Sequence, residues 1–499
     1  MPISRRDLLR LAVAGGGVAF AVGDGTCEPG ARQPRTAGTA TFDRALAIPP
    51  VAKSSVDADG RRVFDLTAHA GTREFVPGQR TSTWGINGDY LGPTLRARRG
   101  EWVRINLHNE LGETTSLHWH GMHLPAAADG GPHQPVDPGQ TWSPGWEVKQ
   151  PATTLWYHPH PHGRTEKHVY RGLAGLFVID DDVESALTLP RRYGVDDLPV
   201  IIQDKRFDGA GQFDEAEHGP TGLLGDTLLV NGTLNPYRQV VTEKVRLRLL
   251  NASTARIYNL GFADGRRFQL IGTDGGLLAT PFATDRIQLS PAERAEVVVS
   301  FRPGERVVLR SYPSELHTVG IMSRLAGGDD TFDVLELRAA RTLAPSADVP
   351  ARLADVPRPD GADATTIRSF RLSERQINGK KMKLDRIDEV VRRDSTEIWE
   401  VTNQHAQPHS FHVHDVQFRV LSIGGGAPPP ELTGWKDTVY LPPETPVRII
   451  MRFADYADPN VPYMYHCHLL LHEDAGMMGQ FVVVEPGQEP GKPGHHHDG

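Results

Sequence analysis

The chain reads as all-β, built from three successive copies of one domain. Three observations lead there. First, one pattern recurs: an Asn-Gly step, some twenty residues, then an alternating strand that ends in Asn. The steps begin at Asn87, Asn231 and Asn378, 144 and 147 residues apart, and self-similarity at a near-constant period marks a repeated structural unit. Second, short runs of branched and aromatic residues alternate with Gly, Pro, Asn and Asp turn residues throughout, the pattern of short strands joined by tight turns. Third, 499 residues divide into three domains at ~150 residues each, which matches the repeat. Copies of that size made of short strands are β-sandwiches or barrels.

In chain order, the first copy runs from Asn87-Gly88 to the strand 103–109, with a further strand at 173–179. The second carries strands at 200–203, 245–251 and 295–301, and the third at 397–403, 417–423, 447–453 and 480–485. Linkers are expected near 181–197, where charges cluster around a proline, and near 340–366, rich in Ala, Pro and Asp. The expected domains are therefore 45–182, 190–342 and 365–486, with a leader over 1–44 and a Gly/Pro/His tail over 487–499.

The third copy closes on His466-Cys467-His468-Leu469-Leu470-Leu471-His472-Glu473-Asp474-Ala475-Gly476-Met477. On an extended strand successive side chains point to opposite faces. Cys467 then faces one way, and His466 and His468 the other. Cys467, His472 and Met477 supply thiolate, imidazole and thioether, with Met478 as the alternative to Met477. One more histidine completes a His2Cys site with a weak axial methionine, the electron-transfer type of copper centre. His409, three residues ahead of His412, is the natural addition. Three further His-x-His pairs, His118/His120, His158/His160 and His412/His414, each put two imidazoles on one face. With His466 and His468 they make eight histidines for a second, all-histidine cluster. The first copy holds four of them and the third holds the rest, so the cluster closes only where those two copies meet. The second copy, with none, is expected to be a spacer that folds the chain back.

These four His-rich segments, in this order and spacing, resemble the multicopper oxidases over residues 45–485, and Gly434-Trp435-Lys436-Asp437-Thr438 and Asp129-Gly130-Gly131-Pro132 resemble their bacterial laccase and copper-efflux branch. The resemblance implies cupredoxin-like Greek-key domains and four copper ions. It implies a type 1 copper on His409, Cys467, His472 and Met477, and a type 2 copper on His118 and His412. A type 3 pair would rest on His120, His158, His160, His414, His466 and His468. It also implies that Asp129 and Glu473 relay protons, with Asp474 beside Glu473 either the relevant acid or a loop charge. The implied reaction is one-electron oxidation of electron-rich phenols, aromatic amines or similar reductants, with dioxygen reduced to water. Electrons are expected to arrive through an exposed edge of His472 or His409. The alternatives are a cuprous-ion oxidase or copper-tolerance protein, and a copper-free relative acting as a structural or cell-division factor, a kind that loses ligands. Against the cuprous role stand the absence of a methionine-rich insert among eight methionines and the run His405-Ala406-Gln407-Pro408, where the efflux enzymes carry Asp and Met. Asp415 stands where many relatives have Gly.

The remaining histidines near these motifs, His108, His123, His133, His162, His168 and His405, read as loop or surface residues, and His495, His496 and His497 as a tail with adventitious metal affinity at most. Net charge is −8, which points to no nucleic-acid partner. No apolar run reaches the ~18 residues of a membrane span. Ser4-Arg5-Arg6-Asp7-Leu8-Leu9-Arg10 before the apolar stretch 11–22 reads as a twin-arginine export signal, so the twin-arginine machinery is an expected partner and the expected location is periplasmic or extracellular. There are two cysteines. Cys27 lies in or beside the signal, which leaves Cys467 without a disulfide partner, a situation a metal explains in an exported protein.

Overall fold

A strand that is apolar on one side must bury that side against a second layer. The computed structural model describes residues 34–493 other than 319, 358 and 360; the stretch read as an export signal, Cys27 and the three tail histidines lie outside them. In the strand Trp102–Asn109 every second side chain, Val103, Ile105 and Leu107, is buried. Each copy answers this need with two sheets around one apolar core. Around the first core, Phe64, Ile105 and Leu107 from one sheet meet Trp119, Leu155 and Phe177 from the other. The middle core sets Val200 and Leu247 against Tyr258 and Leu335. In the third, Phe370, Trp399 and Ile449 face Phe411, Cys467 and Phe481. The all-β expectation of three cupredoxin-like sandwiches holds. The strands expected at 173–179, 200–203, 295–301, 417–423, 447–453 and 480–485 are found as Gly175–Asp180, Asp197–Lys205, Arg294–Ser300, Phe418–Ile423, Pro446–Arg452 and Met478–Val484.

The repeated asparagines are hydrogen-bonding staples. Asn87, Asn231 and Asn378 all sit in the left-handed region, with φ of 55°, 50° and 51°, which Asn tolerates better than most residues. Each carboxamide oxygen accepts a backbone N–H of a neighbouring strand, from Thr67, Ile201 and Arg371 respectively. The asparagines that end the repeated strands, Asn109, Asn251 and Asn403, are fully buried. Each accepts from the N–H two residues on and donates to two carbonyls: Glu113 and Val136, Arg256 and Leu289, Gln407 and Leu441. Losing one such side chain would strand three backbone groups, at ~1–3 kcal/mol each when buried. In all three copies the strand ending in Asn pairs in parallel with an earlier one: Arg62–Glu74, Asp197–Lys205 or Thr366–Ser373.

The first and third copies meet face to face. Tyr463 donates its hydroxyl to the carbonyl of Leu124 at 2.7 Å, and Ala126 packs into the third core.

Candidate metal centre

Strand register sorts the predicted ligands. The strand His409–Val413 pairs antiparallel with Asp458–Cys467, placing Phe411 opposite Cys467 and His412 opposite His466. Directly opposed residues share a face, so Cys467 turns into the third core and His412 and His466 turn out of it. In the first copy His118–His120 pairs with Thr153–His158, with His118 opposite His158. The two outward faces then meet. The ring of His118 stacks on His414 at 3.9 Å and that of His120 on His412 at 3.7 Å. All twelve predicted ligand residues come together at these two places, and none is more than 1% exposed.

On the core side, His409 Nδ1, His472 Nδ1 and Cys467 Sγ form a triangle with edges of 3.2, 3.3 and 3.7 Å. Met477 lies in the same apolar core as Cys467. Met478, the alternative, pairs with His466 and packs with Met382 and Met464. On the outward side the eight histidines divide. His160, His414 and His466 gather their Nε2 atoms, with 3.2 Å from His466 to each of the others. His120 Nδ1 lies 3.4 Å from His158 Nε2, with the ring of His468 5.0 and 5.2 Å from theirs. His118 and His412 complete the eight, stacked on His414 and His120, one from each trio. Each donates Nδ1–H to a backbone carbonyl, of Asp129 (2.9 Å) and Asp437 (2.8 Å), leaving Nε2 buried without a partner.

The donors fit copper. Buried unpartnered nitrogens remain on His118, His409, His412 and His468, a cost that a bound cation removes. Burial first, and then neighbouring imidazoles, hold His120, His158, His409, His412 and His414 well below the usual range. Their lone pairs are therefore free for a metal at neutral pH. Burial pushes the Cys467 thiol up to about 12, so its thiolate requires a compensating cation. Imidazole with thiolate and thioether on one side, and imidazole alone on the other, are donor sets suited to copper.

The two predicted acids lie beside the histidine trios. Asp129 Oδ2 accepts from His414 Nδ1 at 2.7 Å. Glu473 lies 3.1 Å from His466 Nδ1 and 3.5 Å from His160 Nδ1. Burial works to raise the Glu473 carboxyl, but His160 and His466 outweigh it and hold it well below the usual range. Asp474, beside Glu473, is not a free loop charge. It accepts the N–H groups of Thr165 and Glu166 and so caps the helix Thr165–Arg171.

Other expectations need correction. His133, in a turn, and His168, in the helix Thr165–Arg171, are both buried, not surface residues. His168 donates to Glu113 (2.8 Å), and His133 to Gln480 (2.8 Å). Neither His409 nor His472 has an exposed edge: they are 1% and 0% exposed, and His472 donates Nε2–H to the carbonyl of Pro220 at 2.8 Å. The middle copy is also more than a spacer. Its Arg294 grips Asp437 at 2.6 and 2.9 Å and the carbonyl of Thr154 at 3.0 Å, while Lys436 pairs with Asp274 and Glu293 at 2.8 and 2.9 Å. Asp437 in turn lies 3.1 Å from His120 Nε2. One arginine therefore ties all three copies together beside the cluster. Gly121, at φ +83°, is required there, because a Cβ would collide with the Asp437 carboxylate and Arg294. Gly130, at φ +75°, clears the carbonyl of Leu117 in the same way.

Asp415 acquires a role. It holds φ +68°, strained for a non-glycine residue, and its carboxylate accepts from His123 Nδ1 at 2.8 Å. His123 Nε2 donates to Asp455 at 3.0 Å; Lys149 also pairs with Asp455 at 2.9 Å, and the ring of Tyr456 packs on His123 at 4.9 Å. First and third copies are thus clamped next to His120 and His414. Burial disfavours the His123 cation, but Asp415 and Asp455 outweigh it and raise its pKa to about 9. A pKa raised on folding adds stability that is complete below the unfolded value of ~6.5 and is lost as pH rises through the folded value. The melting temperature should therefore fall between roughly pH 7 and pH 10, and fall less in His123→Gln. Parallel curves for the two proteins would remove the clamp from the stability account.

Three family profiles described as multicopper oxidase match residues 67–184, 203–308 and 349–487. The chain is 37% identical to Cell division protein FtsP of Xenorhabdus nematophila, over 98% of this chain and 100% of that one. It is 37% identical to Multicopper oxidase mco of Staphylococcus haemolyticus, over 88% and 92% of the two chains. Among solved structures, laccase from Pediococcus acidilactici superposes with a TM-score of 0.82 at 36% identity, covering 90% of this chain and 96% of that one.

Proposed function

Because the chain belongs to the multicopper oxidase family, we propose that it is a laccase-like oxidase. It oxidises electron-rich phenols, aromatic amines or similar small reductants one electron at a time and reduces dioxygen to water. The observation that supports this most is the tripeptide His466-Cys467-His468, whose side chains join the two donor sets from opposite faces of one strand end. In this reading His409, Cys467, His472 and Met477 hold the type 1 copper. His118 and His412 hold type 2, and His120, His158, His160, His414, His466 and His468 hold the type 3 pair. Copper so bound would accept single electrons at the first site and supply four of them to dioxygen at the second.

The protein's own part is geometry and protons. The Cys467 backbone is the shortest covalent path between the two donor sets. Reduction of one dioxygen to two waters consumes four protons. In this reading Asp129, bonded to His414, and Glu473, between His160 and His466, pass them inward, and carboxylates can act as such relays near neutral pH. The paired arginines Arg5 and Arg6 support export by the twin-arginine route to the outside of the cytoplasm; no helix among the described residues is long and apolar enough to cross a membrane.

A cell-division role is the second reading, supported by the relative named as a cell division protein. It gives no use to ten buried histidines and a buried thiol. The purified, copper-loaded protein decides. An intense blue band with a near-ultraviolet shoulder, and dioxygen uptake with a phenol, are expected; a colourless protein that retains no copper would favour the second reading. Within the oxidase reading, His118→Ala or His412→Ala should keep the blue band and lose dioxygen uptake, because neither residue touches the Cys467 site. Bleaching with copper retained elsewhere would mean these two are misplaced.

A further inference from the structure

We propose that residues 218–223 of the middle copy form a cover over His472, latched by Glu166, and that this cover selects which electron donors are oxidised. The inference rests on the oxidase reading for its consequence, though not for its geometry. Pro220 sits in a tight turn closed by reciprocal backbone bonds between Gly219 and Gly222, at 2.9 and 3.3 Å. Its carbonyl takes the outward N–H of His472 at 2.8 Å. Thr221 and Leu223 beside it are buried. A single carboxylate holds the segment on both sides of Pro220: Glu166 accepts from Leu223 N–H at 3.2 Å with one oxygen and bonds His218 Nε2 at 2.9 Å with the other. Glu166 belongs to the helix Thr165–Arg171 of the first copy, and His472 to the short helix Leu470–Asp474 of the third. The cover is thus a middle-copy loop, latched by the first copy over a residue of the third.

The closed cover has two consequences. It fixes the His472 tautomer, because a carbonyl can only accept; Nε2 carries the proton and Nδ1 faces Cys467 and His409, the usual work of a hydrogen bond behind a metal ligand. It also uses the bond that a phenol oxygen would need in order to dock. A donor that must touch His472 waits for the cover to open. It then gives up one electron inward and its hydroxyl proton to water. A compact donor that needs no contact, such as a hexacyanoferrate(II) ion, gives its electron across the closed turn. The latch rather than a fixed pocket would then set the ratio of bulky phenols to outer-sphere donors.

Glu166→Ala and His218→Ala test this in the full-length protein. The first readout involves no turnover: hydrogen–deuterium exchange at the amides of Gly219 and Gly222, which are bonded to each other in the closed turn, followed by mass spectrometry. The parent should exchange slowly there, with the amide of exposed His162 as the internal reference, and both variants should exchange about tenfold faster, the effect of removing a hydrogen bond to a charged group from the closed state. The second is kcat/KM for 2,6-dimethoxyphenol relative to hexacyanoferrate(II), which should rise by a similar factor. Exchange at Gly219 and Gly222 as fast as at His162 in the parent, or unchanged in both variants, overturns the cover. His218 is partly exposed, so its truncation keeps the test open if Glu166→Ala does not fold. Lack of a blue band and of dioxygen uptake would instead overturn the oxidase reading and leave the exchange result to stand on its own.

Discussion

Cys467→Ser should give a folded protein with no blue band and no oxidase activity. Among the proposed ligands only the thiolate produces that absorption, so the colour should vanish completely and not weaken. The activity should go with it, since the same residue joins the electron-accepting site to His466 and His468. The fold should survive. Cys467 contributes one small side chain to a core that also holds Phe411, Trp399, Phe481 and Tyr465. The new hydroxyl has His409 Nδ1 within reach, because the sulfur already lies 3.3 Å from it. Far-ultraviolet circular dichroism and urea unfolding check the fold, and the visible spectrum checks the site. A serine variant that stays blue, or that keeps near-normal turnover, would falsify the assignment of Cys467. A parent that is colourless beforehand would move attention to the second reading.

The residues that sequence made legible are those whose job depends on local geometry. Alternation on a strand is enough to separate Cys467 from His466 and His468, and the register with His409–Val413 reproduces that separation in space. The repeat was legible because the same backbone problem recurs three times and receives the same side chain: Asn87, Asn231 and Asn378 at left-handed turns, and Asn109, Asn251 and Asn403 at strand ends. The two methionines part in the same way: Met478, at the head of its strand, lies opposite His466, and Met477 before it lies in the core with Cys467.

What stayed hidden depends on partners far apart in the chain. Arg294 and Asp437 are 143 residues apart, and nothing local to either marks the other. A charged residue at the head of the apolar strand Arg294–Ser300 was the one available sign, since buried charges need partners. His123 and Asp415, 292 residues apart, follow the same rule, and so does the cover on His472, which comes from a part of the chain with no ligand of its own. The burial of His133 and His472 was hidden for that reason, since Gln480 and Pro220, their partners, belong to other copies. His168 and His409 are covered within their own copies, by Glu113, Thr115 and Trp84 and by Cys467 and His472, contacts between segments that a local hydrophobic pattern does not join.

Asp129→Asn and Glu473→Gln should slow the reaction with dioxygen by a large factor while leaving oxidation of the reducing substrate almost untouched. General acid–base assistance is typically worth ~10²–10⁴-fold, so a true relay leaves no room for a marginal effect. The geometry separates the two half-reactions. Both acids touch histidines of the outward cluster: Asp129 touches His414, and Glu473 touches His160 and His466. Glu473 follows His472 in the chain, but its carboxylate turns to His160 and His466 and not to His472 Nδ1 or His409 Nδ1. Amides keep the size of the carboxyl and remove the titratable proton. In Asp129→Asn the carboxamide retains an oxygen to accept from His414, and the backbone carbonyl of the same residue still accepts from His118, so the histidines should stay in place. Copper content equal to the parent's checks that they do. Under anaerobic conditions substrate should bleach the blue band at the parental rate. When the fully reduced variants are mixed with dioxygen in a stopped-flow instrument, return of the colour should become the slow step. Reoxidation at the parental rate in both variants would reduce Asp129 and Glu473 to hydrogen-bond partners that hold His414 and His466 in place, and the protons would have to come by another route.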